Sequence, residues 1–147
     1  GVYVDKKVVI GDLVKIQNTA QLFEGCEIED EVFIGPGVIV ANDGYPRSTN
    51  PDGTLKSESD WNLMLTRINR GASVGARAVL IGGITIGRYA MIGAGAVVTK
   101  DVPEHAVVVG NPGVVIGLAG VCGHPQPDDS PSTCSTCGAG NPMESTT

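Results

Sequence analysis

Residues 68–98 read INRGASVGARAVLIGGITIGRYAMIGAGAVV. Ile68, Val74, Leu80, Ile86, Ile92 and Val98 stand six residues apart in it. The same interval runs through Val4, Ile10, Ile16, Leu22, Ile28, Ile34 and Val40. None of these thirteen positions is polar. A period of six is neither helical nor the simple alternation of a half-buried strand. It is the signature of a parallel β-helix, in which each hexad builds one face of a coil. Four places after each aliphatic residue comes a small or β-branched one, as at Val8, Ala20, Cys26, Val38, Ala72, Ala78, Ala90 and Ala96. Glycine often stands directly after the aliphatic residue, at Gly11, Gly35, Gly75, Gly87 and Gly93. Three hexads close a triangle, so residues eighteen apart stack at the ordinary strand spacing of about 4.8 Å. A sandwich of alternating strands would not hold this phase through both runs.

Composition agrees with a solenoid. The 147 residues predict one main unit. Only 4% of them are aromatic, while 21 are glycine, as expected of a narrow aliphatic interior with tight glycine corners. The net charge of -6 and a pI near 4.7 argue against a nucleic-acid partner, which would require a basic face. No apolar run is long enough to span a membrane and no secretory leader is recognisable, so the expectation is a cytoplasmic protein without membrane insertion. The chain opens at Gly1, almost inside a hexad, which predicts that some N-terminal sequence precedes it.

The repeat stops after Val40 and resumes at Ile68. The extra segment, about residues 44–66, contains Tyr45, Pro46, Arg47, Pro51, Asp52, Gly53 and Trp61. A long loop that interrupts a regular solenoid is usually functional. Trp61 and Leu63 to Leu65 are apolar enough that they are expected to pack on something. Coils therefore account for residues 1–118, with this loop inserted. Residues 119–147 form a tail rich in Ser, Thr, Pro, Asp and Gly. The tail carries Cys122-x-His124 and Cys134-x-x-Cys137. Such a segment is either disordered or gathered by a structural zinc ion on Cys122, His124, Cys134 and Cys137. Cys26 falls at a small-residue repeat position and reads as an inert core thiol.

Two stretches carry a family resemblance. Ile92 to Asp101 (IGAGAVVTKD), with Val102-Pro103 and Gly110-Asn111-Pro112, is similar to the last coil and exit of the acetyl-CoA-dependent hexapeptide-repeat acyltransferases. Leu22 to Pro36, Asn42 to Arg47 (NDGYPR) and Arg70 to Ala76 (RGASVGA) resemble a narrower branch. That branch N-acetylates nucleotide-linked amino sugars destined for surface polysaccharides such as lipopolysaccharide. The resemblance implies a left-handed β-helix, although the general rule for parallel crossovers favours right-handed connections. It also implies a homotrimer with sites between subunits, and acetyl-CoA as cosubstrate. Ala76 and Ala94 would meet acetyl-CoA where small side chains admit the pantetheine arm. Thr99 and Lys100 would lie near its nucleotide end, while Tyr45 and Arg47 would contact the sugar substrate. Many members carry Arg after the Gly-Asn-Pro turn, whereas here Gly113-Val114-Val115 follows.

Many relatives use a loop histidine as general base. This chain has two histidines, His105 and His124. His105 follows Pro103 in what reads as an exposed turn, unsuited to that role. The amino-sugar branch places an Asn where others place the base, and the matching residue is Asn42. Asn42 lies eighteen residues after Glu24, so the two are expected to project from one corner and orient an amine. A neutral amine attacks a thioester directly, so positioning and oxyanion stabilisation suffice. The leading expectation is an acetyl-CoA-dependent N-acetyltransferase of a nucleotide-activated amino sugar, working without a covalent acyl-enzyme. A sugar O-acetyltransferase is the alternative, with a non-catalytic scaffold behind it. A γ-type carbonic anhydrase would require three coil histidines, and the coils carry none.

Overall fold

The computed structural model describes residues 1–127 and 133–140. The tail residues 128–132 and 141–147, for which disorder or a metal ribbon is expected, lie outside the described residues. The chain is all β, a left-handed parallel β-helix. Among the described residues no helix is long and apolar enough to cross a membrane.

The first coil holds β1 (Tyr3–Val4), β2 (Val9–Ile10) and β3 (Lys15–Ile16). The second holds β4 (Gln21–Leu22), β5 (Cys26–Ile28) and β6 (Phe33–Ile34), and the third β7 (Ile39–Val40), β8 (Thr66–Ile68) and β9 (Ser73–Val74). The fourth consists of β10 (Val79–Leu80), β11 (Thr85–Ile86) and β12 (Met91–Ile92), and β13 (Val97–Val98) opens the last. β14 (Ala106–Val109), β15 (Val114–Ala119) and β16 (Pro125–Gln126) follow. Three sheets result. The first stacks β1-β4-β7-β10-β13, the second β2-β5-β8-β11, and the third β3-β6-β9-β12-β14-β15-β16.

Register follows the eighteen-residue stacking: Gln21 pairs with Ile39 and Val79 with Val97. Across the insertion the offset rises to forty, with Ile39 opposite Val79, so the loop lengthens the third coil by twenty-two residues. Leu22, Ile28, Ile34, Val40, Ile68, Val74, Leu80, Ile86, Ile92 and Val98 are all buried, together with the small column Ala20, Cys26, Val32, Val38, Ala72, Ala78, Ala90 and Ala96. Val4 and Ile10 depart from this pattern at 45% and 40% exposed. They keep the register of the column, opposite Leu22 and Ile28, but the first coil has a stacking neighbour on one side only.

The corners correct the expectation about glycine. Left-handed backbone recurs every six residues, at Lys7, Leu13, Thr19, Gly25, Glu31 and Gly37, and again at Gly71, Arg77, Gly83, Tyr89 and Gly95. Six of these eleven positions carry side chains in spite of φ values between 54° and 62°. Glycine is needed one step after the aliphatic column instead, where neighbouring coils touch. A Cβ on Gly35 would lie 2.7 Å from the Ala76 nitrogen, and one on Gly75 2.6 Å from the Ala94 nitrogen.

Beyond Val98 the winding ends. β14 still pairs in parallel with β12, but β15 turns back antiparallel on β14, and β16 on β15. His105 sits under this return and is half-buried, not exposed. Its ring stacks on Tyr89 at 5.3 Å, and its Nδ1 lies 2.8 Å from the Ala119 carbonyl. The returning strand covers a turn that the sequence alone leaves open.

Candidate active site

Lys6, Glu24 and Asn42 are each eighteen residues apart, so they rise in one column along the edge that follows the first sheet. The column continues across the insertion through Gly82 to Lys100. The Asn42 Nδ2 donates to the Glu24 backbone carbonyl at 3.0 Å. Coil stacking thus produces the expected Asn42–Glu24 pairing, but through the main chain of Glu24. The Glu24 carboxylate faces elsewhere. Lys7 Nζ donates to it at 2.7 Å and Lys6 Nζ lies 3.6 Å away. Asp5 accepts from the Glu24 amide at 3.3 Å, and Lys6 also bonds to Glu58.

Glu24 is only 8% exposed, a burial that by itself would favour the neutral acid. The hydrogen bond from Lys7 and the two ammonium charges outweigh it and hold the carboxyl below its usual range. Glu24 is therefore a fixed anion at neutral pH and not a proton shuttle.

The inserted loop closes this corner into a cup of about 460 Å³, lined by Asp5, Lys6, Lys7, Glu24, Asn42, Glu58, Trp61 and Leu63. The loop lands on glycines. Met64 packs where side chains on Gly44, Gly82 or Gly83 would stand, and Leu63 and Leu65 crowd Gly25. The Met64 amide donates to the Asn42 carbonyl at 3.0 Å and fixes the landing. Leu63–Leu65 do pack, as expected, yet Leu63 and Leu65 stay 40% and 53% exposed, while Trp61 is half-buried and lines the cup.

Not every expected residue reaches the cup. Tyr45 is 88% exposed and Arg47 bonds to the Pro46 carbonyl, and neither lines it. Ala76 and Ala94 stack as expected, with the Gly95 amide on the Ala76 carbonyl at 2.8 Å. They occupy the edge between the third and first sheets. Exposed Thr99 and Lys100 lie on the Asn42 edge, with Lys100 two coil spacings (about 10 Å) beyond Asn42. Cys26 faces the core, and burial pushes its thiol up to about 12, which excludes it as a nucleophile. Lys6, Lys7, Asp5 and Glu58 escaped the sequence reading. Counting eighteen back from Glu24 would have found Lys6.

A second cluster lies in the tail. Cys122, His124, Cys134 and Cys137 each offer a ligand atom, and these atoms lie within 4.8 Å of one another. Backbone N–H groups of Cys137 and Thr136 bring the Cys134 thiol down to about 5.

Residues 65–100 match the family model described as bacterial transferase hexapeptide (six repeats). A dTDP-3-amino-3,6-dideoxy-alpha-D-galactopyranose 3-N-acetyltransferase of Aneurinibacillus thermoaerophilus is 47% identical over 57 residues, 39% of this chain and 30% of that protein. The serine acetyltransferase of Escherichia coli K12 is 30% identical over 119 residues, 79% of this chain and 42% of that one. Among solved structures, a mutant GDP-perosamine N-acetyl transferase from Caulobacter crescentus, in complex with CoA and GDP-perosamine, superposes with a TM-score of 0.63 at 26% identity. It covers 80% of this chain and 45% of the other. The chain spans between about a third and just under half of the length of these relatives.

Proposed function

We propose that this chain, which carries the bacterial transferase hexapeptide repeat and folds as its left-handed β-helix, is an acetyl-CoA-dependent N-acetyltransferase of a nucleotide-linked amino sugar. The observation that carries this reading is the cup at Asn42. It joins an oriented amide, a fixed carboxylate and a loop-borne Trp61, and it holds no histidine. The amino-sugar relative, with 47% identity over its matched stretch, supports the same substrate class.

Asn42 spends its Nδ2 on the Glu24 carbonyl, which leaves its Oδ1 to accept from an incoming amine. The three carboxylates of the cup, Asp5, Glu24 and Glu58, outnumber Lys6 and Lys7, an excess that favours an amine over a carboxylate. The amine lone pair attacks the thioester carbonyl carbon, and a C–N bond forms as the carbonyl becomes an oxyanion. Collapse breaks the C–S bond, CoA departs as thiolate, and the ammonium proton passes to that thiolate or to solvent. Positioning and backbone N–H groups supply the acceleration. Ala76, Ala94, Thr99 and Lys100 are the proposed contacts of acetyl-CoA, and Tyr45 and Arg47 those of the sugar nucleotide. One prism puts the two alanines and the Thr99–Lys100 pair on different edges. A second prism packed alongside would complete a groove, which supports a homotrimer with sites between subunits and gives the exposed Leu63 and Leu65 a partner.

The serine acetyltransferase match covers more of the chain than the amino-sugar match, so hydroxyl acetylation is the second reading. A hydroxyl nucleophile needs a base, and the cup's carboxylates are all engaged, Glu24 and Glu58 by lysines and Asp5 by the Lys6 and Glu24 amides. Measuring CoA release with nucleotide-linked amino sugars, the matching hydroxy sugars and serine separates the two. Turnover confined to serine or to hydroxy sugars would overturn the N-acetyl reading.

A further inference from the structure

The tail cluster is independent of the cup and of any acetyl transfer. We propose that Cys122, His124, Cys134 and Cys137 form a closed, structural zinc site that clasps the Cys122–His124 turn to the Cys134–Gly138 turn.

Geometry carries this. The four ligand atoms come from two separate segments and lie within 4.8 Å of one another. A tetrahedral zinc with thiolate bonds of 2.3 Å sets its ligand atoms about 3.8 Å apart. Cys134 Sγ and His124 Nδ1 already stand 3.7 Å apart. All four cysteines of the chain are free, so no disulfide competes for the three in the cluster.

The second turn has the backbone form that supports a bound thiolate. The Thr136 amide points at Cys134 Sγ at 3.4 Å. Gly138, at φ 71°, returns its amide to the Cys134 carbonyl at 2.8 Å. The Cys134 amide in turn donates to Ala139. The two main-chain bonds hold the turn and the Thr136 amide orients Cys134 Sγ, as outer-shell contacts do in metal sites.

Apolar burial cannot supply the same hold. Among the described residues beyond Ala119, Cys134 is the one buried hydrophobic side chain. Segments this small and this poor in core depend on a crosslink or a metal. The first turn is anchored to the coils. Gly120 to Cys122 line a hollow with Glu31, Tyr89 and Met91, and Gly123 lies close enough that a Cβ there would meet Met91 at 3.3 Å. Ligation would therefore tie the second turn to the end of the β-helix. Four protein ligands leave no open position, so the metal is structural and takes no part in acyl transfer.

The test uses the full chain, purified under reducing conditions without chelator. Elemental analysis should find about one zinc per chain. Cobalt(II) added after zinc removal should give thiolate-to-metal charge transfer and a tetrahedral ligand-field spectrum. Cys137→Ser and His124→Ala should each lose most of the bound zinc, whereas Cys26→Ala should keep it. Circular dichroism should show that the coils persist in both ligand variants, since neither His124 nor Cys137 belongs to the β-helix core. Reduced, folded protein that binds neither zinc nor cobalt overturns the proposal. So does an octahedral cobalt spectrum without charge transfer, or zinc retained in both ligand variants. Acetyl transfer is measured separately, so failure here leaves the Asn42 reading standing, and the reverse holds as well.

Discussion

Replacing Asn42 by Ala is the most direct test of the cup. The substitution removes one hydrogen bond, from Nδ2 to the Glu24 carbonyl at 3.0 Å, and the open Oδ1. The bond is half-buried, so its net loss should cost about 1 kcal/mol of stability. For a chain of this size that lowers Tm by about 3–5 °C, and the protein should still fold. The catalytic loss should be larger. Removing one preorganised contact at a reacting centre costs about tenfold to a thousandfold, with each tenfold equal to about 1.4 kcal/mol. On the proposed role, in which Oδ1 engages the amine most strongly as the C–N bond forms, kcat should fall while KM for the sugar changes little. Steady-state CoA release with the best nucleotide amino sugar gives both constants. His105→Ala is the paired control. Its ring is committed to Tyr89 and to the Ala119 carbonyl, away from the Asn42 edge, so turnover should stay within about twofold. A His105→Ala enzyme that is folded but dead, beside an active Asn42→Ala enzyme, would refute the reasoning and install a histidine base.

Gly35→Ala should destabilise strongly, by about 2–4 kcal/mol, because its Cβ meets the backbone of the next coil at 2.7–2.9 Å. Gly117→Ala meets nothing within 4 Å and has no left-handed backbone, so it should be neutral or slightly stabilising; thermal melts that rank the two alike would contradict the coil-contact account. Glu24 has a folded pKa below its ordinary 4.5, so its ion-pair contribution is complete above that value and fades as pH falls through the depressed one. The stability gap between the wild type and Glu24→Gln should therefore close as pH is lowered from 7 toward 3, and a gap that stays constant in urea titrations would show that the charge is not responsible. Light scattering at micromolar concentration should return a trimer, and Leu65→Glu should weaken it; a monomeric wild type would remove the argument for sites between subunits.

The hexad period reveals the solenoid because coil geometry admits no other use for it. A residue six places on faces the same core column, so a polar residue at Ile34 or Ile92 would be buried without a partner. Eighteen-residue stacking is equally rigid, and for that reason the spacing alone pairs Glu24 with Asn42. The same arithmetic runs one coil back to Lys6 and, once the twenty-two inserted residues are discounted, on to Gly82 and Lys100. What resists reading is whatever leaves the lattice. Tyr45 and Arg47 lie three and five residues from Asn42 in sequence, yet the loop carries them into solvent. Leu63 to Leu65, more than twenty residues away, return to the corner glycines instead. No period encodes that return. It depends on glycines at Gly25, Gly82 and Gly83, whose bare surfaces admit the loop but are indistinguishable in sequence from the other glycines of the repeat. His105 fails for the same reason, because its burial depends on a strand that reverses only after the hexads end. Within the coils the sequence therefore predicts which residues share an edge. Where the chain leaves the coils, contacts follow small residues that only the folded path can identify, and the cup at Asn42 is built from both kinds.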